Sequence, residues 1–577
     1  MPFHKYYQDE LAYLRELGRD FARRYPTAAR WLEGAGTDPD VERLLEGFAF
    51  LTGKMREKLD DELPEFTQAL IELFWPHYLR PIPSMTVIQF ALSPKAQGKP
   101  VLVERGVEVT SPPVDGVPCT FRIAYRTPVV PLAVTELEVG PSSSPYLRVG
   151  LQVSQGASLG KLGLDRLRLH LAGEALAARS LRLCLLRYVK RVVARAPGSD
   201  PVVLEGATLR AVGLADDESL VPMPPTSHPG LRPVWEYAAF PQKLQFVDLH
   251  GLGGLSRLPG TTSKLELLFE LSYLPQDMPP VTAQNLLLNC SPAVNLFKHD
   301  AAPITLDPGR VEYRVRPQAT DPRQYEVFSL EQVSGVIQGQ PEARPYAPFF
   351  SFAARDGRPL YMTRRRMSPV EEGTEVWLTL PGRSPVDLLV SETLSIDCLC
   401  TNRQLPTGLG VGDVCKPTAS TPATVTFRNV IVPTSSVPPP LEGDIYWDLL
   451  SHLSLQYLTR LHPQRLGELL RLYDFRAMVD RQAALALERR REALLEVSAQ
   501  PTSRVTGGAL VRGVKTQLVV DEQRLGGEGE AHLLGEVLNE VLAHTVSLNA
   551  FSQLELKGTK YGEVHRWPAR SGTRIIL

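Results

Sequence analysis

The pattern nearest to catalytic chemistry is Gly156-Ala157-Ser158-Leu159-Gly160, a G-x-S-x-G. In a nucleophile elbow this spacing holds a serine hydroxyl on a tight strand-to-helix turn beside an oxyanion hole. A strand before it is expected over Leu147 to Val153. The residues after it, KLGLDRLRLHL, soon resume strand-like alternation, so a hairpin turn of glycine and serine accounts for the pattern as well. A serine hydrolase using Ser158 is therefore the alternative reading, not the leading one. Gly251-Leu252-Gly253-Gly254-Leu255-Ser256 resembles the start of a dinucleotide loop. Its third glycine position is Ser256, and no strand–helix–strand frame follows, which leaves a glycine turn. Cys398, Cys400 and Cys415 supply three thiols where structural zinc takes four ligands, so buried structural cysteines are expected. The 11 histidines are scattered, with no H-E-x-x-H. His452 and His544 sit in apolar helical stretches and read as core. Arg364-Arg365-Arg366 is a short basic run that an acidic partner would suit. Arg489-Arg490-Arg491 is flanked by Glu488 and Glu492, as on a solvated helix face. No catalytic, cofactor or metal site follows from these residues, and a large chain without one points to a structural or assembly role.

The elements that carry these residues fall into three regions. Phe3, Tyr6, Tyr7, Leu11, Leu14, Leu17 and Phe21 recur at three- and four-residue spacing, one face of a helix that Pro26 stops. Asp38-Pro39 opens a second helix, with Val41, Leu44, Leu45, Phe48, Leu51, Met55 and Leu59 on its stripe. Pro64 opens a third, ended by Pro76. From about Met85 short β-rich runs take over, among them VLVERGVEVT, YLRVGLQVS, LRLHLAG, LRLCLL, KLELLFELSYL, YEVFSL, EVWLTL and ATVTF. Residues 219–233 read as a long loop, and 432–444 as a proline-rich, semi-rigid linker. Helices then return around Leu449 and Leu469 and over Arg476 to Val497. The end reads strand, glycine turn, helix (Ala531 to Leu548) and strand. The fold class is a multi-domain α+β protein. Its expected parts are a helical region 1–84, β-rich domains 85–235 and 236–431, the linker 432–444, and a helical and α/β region 445–577.

The whole-chain numbers agree with this plan. There are 50 prolines among 577 residues, nearly twice the usual share of about 5%, which excludes a helical bundle over most of the length. Lys plus Arg is 63 and Asp plus Glu 64, for a net charge of −1, so nothing advertises nucleic acid or an anionic membrane. The N-terminal stretch MPFHKYYQDELAYLREL lacks a leader's apolar region, and no apolar run reaches the 18 or so residues of a membrane span. Six cysteines in this length are far from a disulfide scaffold, which points to a reduced, cytoplasmic setting.

One further pattern is the order of several blocks. They include YYQDELAYLRELGRDFARRYP, Cys119-Thr120-Phe121-Arg122, YAAFPQKLQFVDLHGL (237–252) and NCSPAVNLFKHDAAPITLD (289–307). CTNRQLP (400–406), WDLLSHLSLQYL (447–458), LLRLYDF (469–475), SLNAFSQL (547–554) and RWPARSG (566–572) follow. Together they resemble the TssF family, also called VasA or ImpG, of type VI secretion baseplate subunits. The resemblance is thin over about 184–233 and 476–512. It implies a scaffold rather than an enzyme, with no cofactor. It further implies assembly with TssG and further TssF copies, recruitment of the TssK adaptor, and contacts to TssE, the sheath and the VgrG spike hub. The expected location is cytoplasmic, tied to an inner-membrane complex through the baseplate. Tyr6, Tyr7, Leu11, Leu14 and Phe21 are the candidate partner contacts on the first helix, because tyrosine-rich apolar faces anchor interfaces. Trp567 is a further candidate near the C-terminal end.

Overall fold

The computed structural model describes residues 7–8, 11, 14, 43–44, 46–52, 64–154, 157–159, 162–224, 227, 229–260, 262–340, 342–349, 357–369, 372–382, 391–441, 462–506, 508–560, 562 and 564–572. The chain divides into two units, Met1–Leu70 and Ile71–Leu577. Its longer labelled helices are α1 (Pro64–Phe74), α2 (Ala175–Leu183), α3 (Arg232–Ala239), α4 (Pro463–Tyr473), α5 (Arg476–Val479), α6 (Arg481–Glu492), α7 (Glu522–Leu525) and α8 (Glu528–Ala543). Several sheets accompany them, so the molecule mixes helices with many strands.

In the first unit, residues 7, 8, 11, 14, 43, 44 and 46–52 are helical, and α1 starts at the expected proline. In the second unit, one six-stranded sheet gathers distant pieces of the chain. Met85–Leu92 lies between Cys290–Val294 and Val425–Asn429, both antiparallel to it. The described strands between Phe297 and Thr401 build two further sheets around a core of their own. A five-stranded and a four-stranded sheet, drawn from 132–288, enclose a separate apolar core with Leu151, Leu169, Leu249 and Phe269. Their pairing also uses charge. Asp248 lies opposite Arg168 across two strands, and the guanidinium donates to both carboxylate oxygens at 2.7 and 2.8 Å.

The C-terminal part is a strand–helix–strand unit. Ala509–Val520 and Ala550–Gly558 run parallel, and α8 is the crossover between them. Leu494–Thr506 extends the sheet on one side and Val564–Arg566 on the other.

Three local expectations change. Leu181 to Leu186 alternates like a strand, yet it is the end of α2 running into a π-helical turn at Cys184–Tyr188. Leu181, Arg182, Leu183, Cys184 and Leu185 are all buried, so side-chain alternation there carries no face information. The helix expected over Arg476–Val497 is two helices and a strand. Asp480 breaks it, because its carboxylate accepts the Gln482 N–H and restarts the chain as α6. Leu494 and Val497 then bury as strand residues against Val520 and Leu518. Of the proline-rich linker read over 432–444, residues 432–441 are described and are partly buried. Val437 lies in the main core and exchanges backbone hydrogen bonds with Ile82, and the Ser436 hydroxyl donates to the Ile82 carbonyl.

Candidate partner interface

The residues singled out for chemistry serve the fold. Ser158 Oγ donates to the Gly260 carbonyl at 2.8 Å. A strand precedes it (Tyr146–Val153) and a strand follows (Arg166–Leu171). Among the described residues between them no α-helix intervenes, so the elbow frame is not met. Gly156 and Gly160 lie outside the described residues. Gly251 has a φ of 78°, and a Cβ there would lie 2.0 Å from the Gly206 carbonyl oxygen, so this glycine makes a close backbone turn. Cys398 and Cys400, two apart on Glu392–Thr401, share one core. Burial pushes the Cys398 thiol up to about 12 and raises Cys400 also, which keeps both as unreactive thiols. Cys415 is exposed, outside that core. Among the described residues, no three His, Cys, Asp or Glu side chains converge as metal ligands.

The basic runs are also structural. Arg365 is buried and donates to the Val327 and Phe328 carbonyls and to Thr374. Arg366 donates to both oxygens of Glu312 and lies 5.2 Å over the Trp377 ring. Arg490 is mostly buried rather than solvated: it sits 5.2 Å over the Tyr237 ring and 3.8 Å from Asp474. His544 is half-buried and pairs with Glu540 at 3.5 Å. His452 lies outside the described residues.

Sequence patterns missed a buried ionic joint around α8. Every residue of this helix except Glu536 and Glu540 is buried. Glu530 meets Arg179 of α2 at 2.7 Å and accepts the Tyr237 hydroxyl of α3 at 2.5 Å. Glu536 takes Arg182 of α2 at 2.5 Å, while Arg182 Nε donates to the Leu244 carbonyl. Glu528 accepts the Tyr188 hydroxyl at 2.5 Å, with His565 Nε2 at 3.7 Å. α2 comes close because of Gly529, where a Cβ would lie 2.6 Å from the Arg179 carbonyl. The joint thus fixes the C-terminal strand–helix–strand unit on the β body. Burial and the neighbouring Arg187 hold the His565 imidazole down to about 4. Burial, with Arg182, holds His532 well below its ordinary value. Only the spread of Glu along an otherwise apolar helix hinted at this.

The surface candidates are apolar. Tyr7, Leu11 and Leu14 are half-buried, and Tyr6 and Phe21 lie outside the described residues. The second helical stretch of that unit leaves Leu44 73%, Phe48 56% and Leu51 57% exposed, a stripe at i, i+4 and i+7. Phe50 beside it is 48% exposed, which widens the arc. Trp567 is half-buried, with its ring against Gly535 and 5.3 Å from His532.

A chain of several sheets, whose candidate catalytic residues serve its own packing and which carries an exposed apolar helical stripe, fits the class of assembly scaffolds. The comparisons place it further. A family model described as "Type VI secretion system, TssF" matches residues 2–574, so the chain belongs to the TssF family. It is 34% identical to the type VI secretion system component TssF1 of Pseudomonas aeruginosa, over 99% of each chain. It resembles a chain of the TssK-TssF-TssG baseplate subcomplex solved by cryo-electron microscopy, with a TM-score of 0.77 and 32% identity over 92% of this chain and 99% of that one. A chain of the baseplate complex from the type VI secretion system matches at a TM-score of 0.65 and 31% identity, over 100% of both. No helix among the described residues is long and apolar enough to cross a membrane.

Proposed function

We propose that this chain is a structural wedge subunit of a type VI secretion baseplate, assembling with TssG-like and TssK-like partners. The observation that carries the reading is the likeness, at 0.77 over 92% of the chain, to a chain of a solved TssK-TssF-TssG subcomplex. In this reading the wedge surrounds the spike hub, meets TssE, and serves as platform for tube and sheath. It works in the cytoplasm, reaching the inner membrane through the baseplate. Its role is holding partners in place, without catalysis.

The helical N-terminal region is the assembly face, and the β-rich middle and C-terminal α/β region form the frame. Tyr6, Tyr7, Leu11, Leu14 and Phe21 contact TssG or a second copy of the chain, and the Leu44–Phe48–Leu51 stripe supports them. The exposed edge of Trp567 is a secondary contact. Large apolar side chains left in water at helical spacing are stabilised by a partner helix, at about 25 cal/mol per Å² covered.

The test is a Tyr6→Ala, Tyr7→Ala, Leu14→Ala variant co-expressed with its TssG-like neighbour. Co-purification is expected to be lost while the thermal transition of the chain alone stays in place. A lost transition would instead make these residues core. A Ser158→Ala variant is expected to support secretion unchanged.

A further inference from the structure

We propose that the exposed helical stripe of the first unit pairs with the same stripe of a second copy of this chain, antiparallel and two-fold symmetric about the Gly47–Phe48 bond. The helical residues 46–52 turn Ala49 inward, where it is fully buried, and leave Gly47, Phe48 and Leu51 exposed, as Leu44 is one turn earlier. Leu44, Gly47 and Leu51 succeed one another at spacings of three and four, the seam of a helix pair, and Phe48 flanks that seam.

Gly47 selects this reading. A glycine inside a helix costs about 0.5–1 kcal/mol relative to alanine. A Cβ at Gly47 would meet nothing within 4 Å, so no packing within this chain calls for it. A neighbour that approaches the bare backbone does. In the antiparallel pair that neighbour is the Phe48 ring of the other copy, a knob entering the gap at Gly47, while Leu44 of each copy faces Leu51 of the other. Charge fixes the direction and the partner. Asp40 and Lys54 lie outside the described residues, and in the sequence they stand four positions before Leu44 and three after Leu51, on the same spacing. Antiparallel copies bring Asp40 of one beside Lys54 of the other at both ends. Parallel copies would set Asp40 on Asp40 and Lys54 on Lys54, and like charges repel. The stripe is thus complementary to itself, as a two-fold contact requires. Its few side chains cover far less than the roughly 1,600 Å² of a standard interface, so the pair forms within the assembly and not by itself.

This pairing rests on the baseplate reading. The experiment co-expresses two differently tagged full chains, both Cys415→Ser, with the TssG-like and TssK-like neighbours, followed by mild oxidation. Leu44→Cys in one copy and Leu51→Cys in the other are expected to form a disulfide that carries both tags. Leu44→Cys in both copies is expected to form none, because the two positions then lie about 10 Å apart along the axis. Gly47→Leu is expected to cut the Leu44–Leu51 yield about tenfold by filling the gap, although it favours the helix itself and leaves the thermal transition in place. An intact complex without the Leu44–Leu51 disulfide overturns the pairing alone. So does an equal yield from Leu44→Cys in both copies, or a yield indifferent to Gly47→Leu. Absence of the complex from the unsubstituted chain overturns the baseplate reading and the pairing with it.

Discussion

Lys243 and Glu236 form an ion pair with both side chains out of water, and Glu236 also accepts the Leu220 N–H. Burial pulls the Lys243 ammonium down to about 8, against the pull of Glu236. Such a pair contributes little net stability, but removing one partner strands the other. Lys243→Met is expected to destabilise the β body by about 3–5 kcal/mol. Lys243→Met with Glu236→Leu is expected to regain most of that, short of the roughly 1 kcal/mol hydrogen bond lost at Leu220. Thermal midpoints of the three proteins check this. The histidines give a second prediction. His565 faces Glu528, with Arg187 near it, and His532 lies beside it with Arg182 and Arg187 near. Both are held neutral in the fold, so between 6.5 and about 4 the unfolded chain binds more protons. Stability is full above that window and falls as pH drops through it. A His532→Asn, His565→Gln double variant is expected to flatten the dependence of thermal midpoint on pH between 7 and 4.5. At this scale the sequence is least legible. The three arginines at 364–366 look like one basic patch, but a strand sends Arg365 inward and Arg364 and Arg366 the other way.

The α2–α8 crossing is the element on which the C-terminal unit depends. Gly529 admits the Arg179 backbone, and Gly535 admits the Trp567 ring, whose Cη2 would lie 2.3 Å from a Cβ there. Gly529→Ala is expected to part the helices and lower the thermal midpoint, by about 1–3 kcal/mol of stability. Gly535→Ala is expected to displace the indole, visible as a change in tryptophan fluorescence, with a smaller loss because Trp567 is half exposed. Strong local signals made many elements readable. Pro64 marks the start of α1, and alternating apolar residues mark Tyr146–Val153 and Lys264–Leu271. Where tertiary burial overrides local pattern, reading fails. α2 is buried on nearly every side, and Leu494 and Glu496, strong helix formers after a helix, pair instead with Val520 and Val519. The candidate interface was legible as helical stripes. That Leu44, Phe48 and Leu51 stay in water was not, because periodicity gives a face and not what covers it.

At the scale of the molecule, the excess of proline belongs to a chain of many short strands, several of which return from far apart to finish one another's sheets. Met85–Leu92 is completed by residues more than 300 positions later, a contact that no local pattern records. What local pattern did record was order, block after block along the chain, and this order identified the family. The near-zero charge fits a subunit of a protein assembly. The most direct test of the assembly role is co-expression of the full chain with its TssG-like and TssK-like neighbours, followed by affinity purification and native mass measurement. The expected result is a stable complex containing all three chains that loses the TssG-like partner when Tyr6, Tyr7 and Leu14 are changed to Ala. A folded chain that purifies alone, as a monomer, beside well-expressed partners would contradict it.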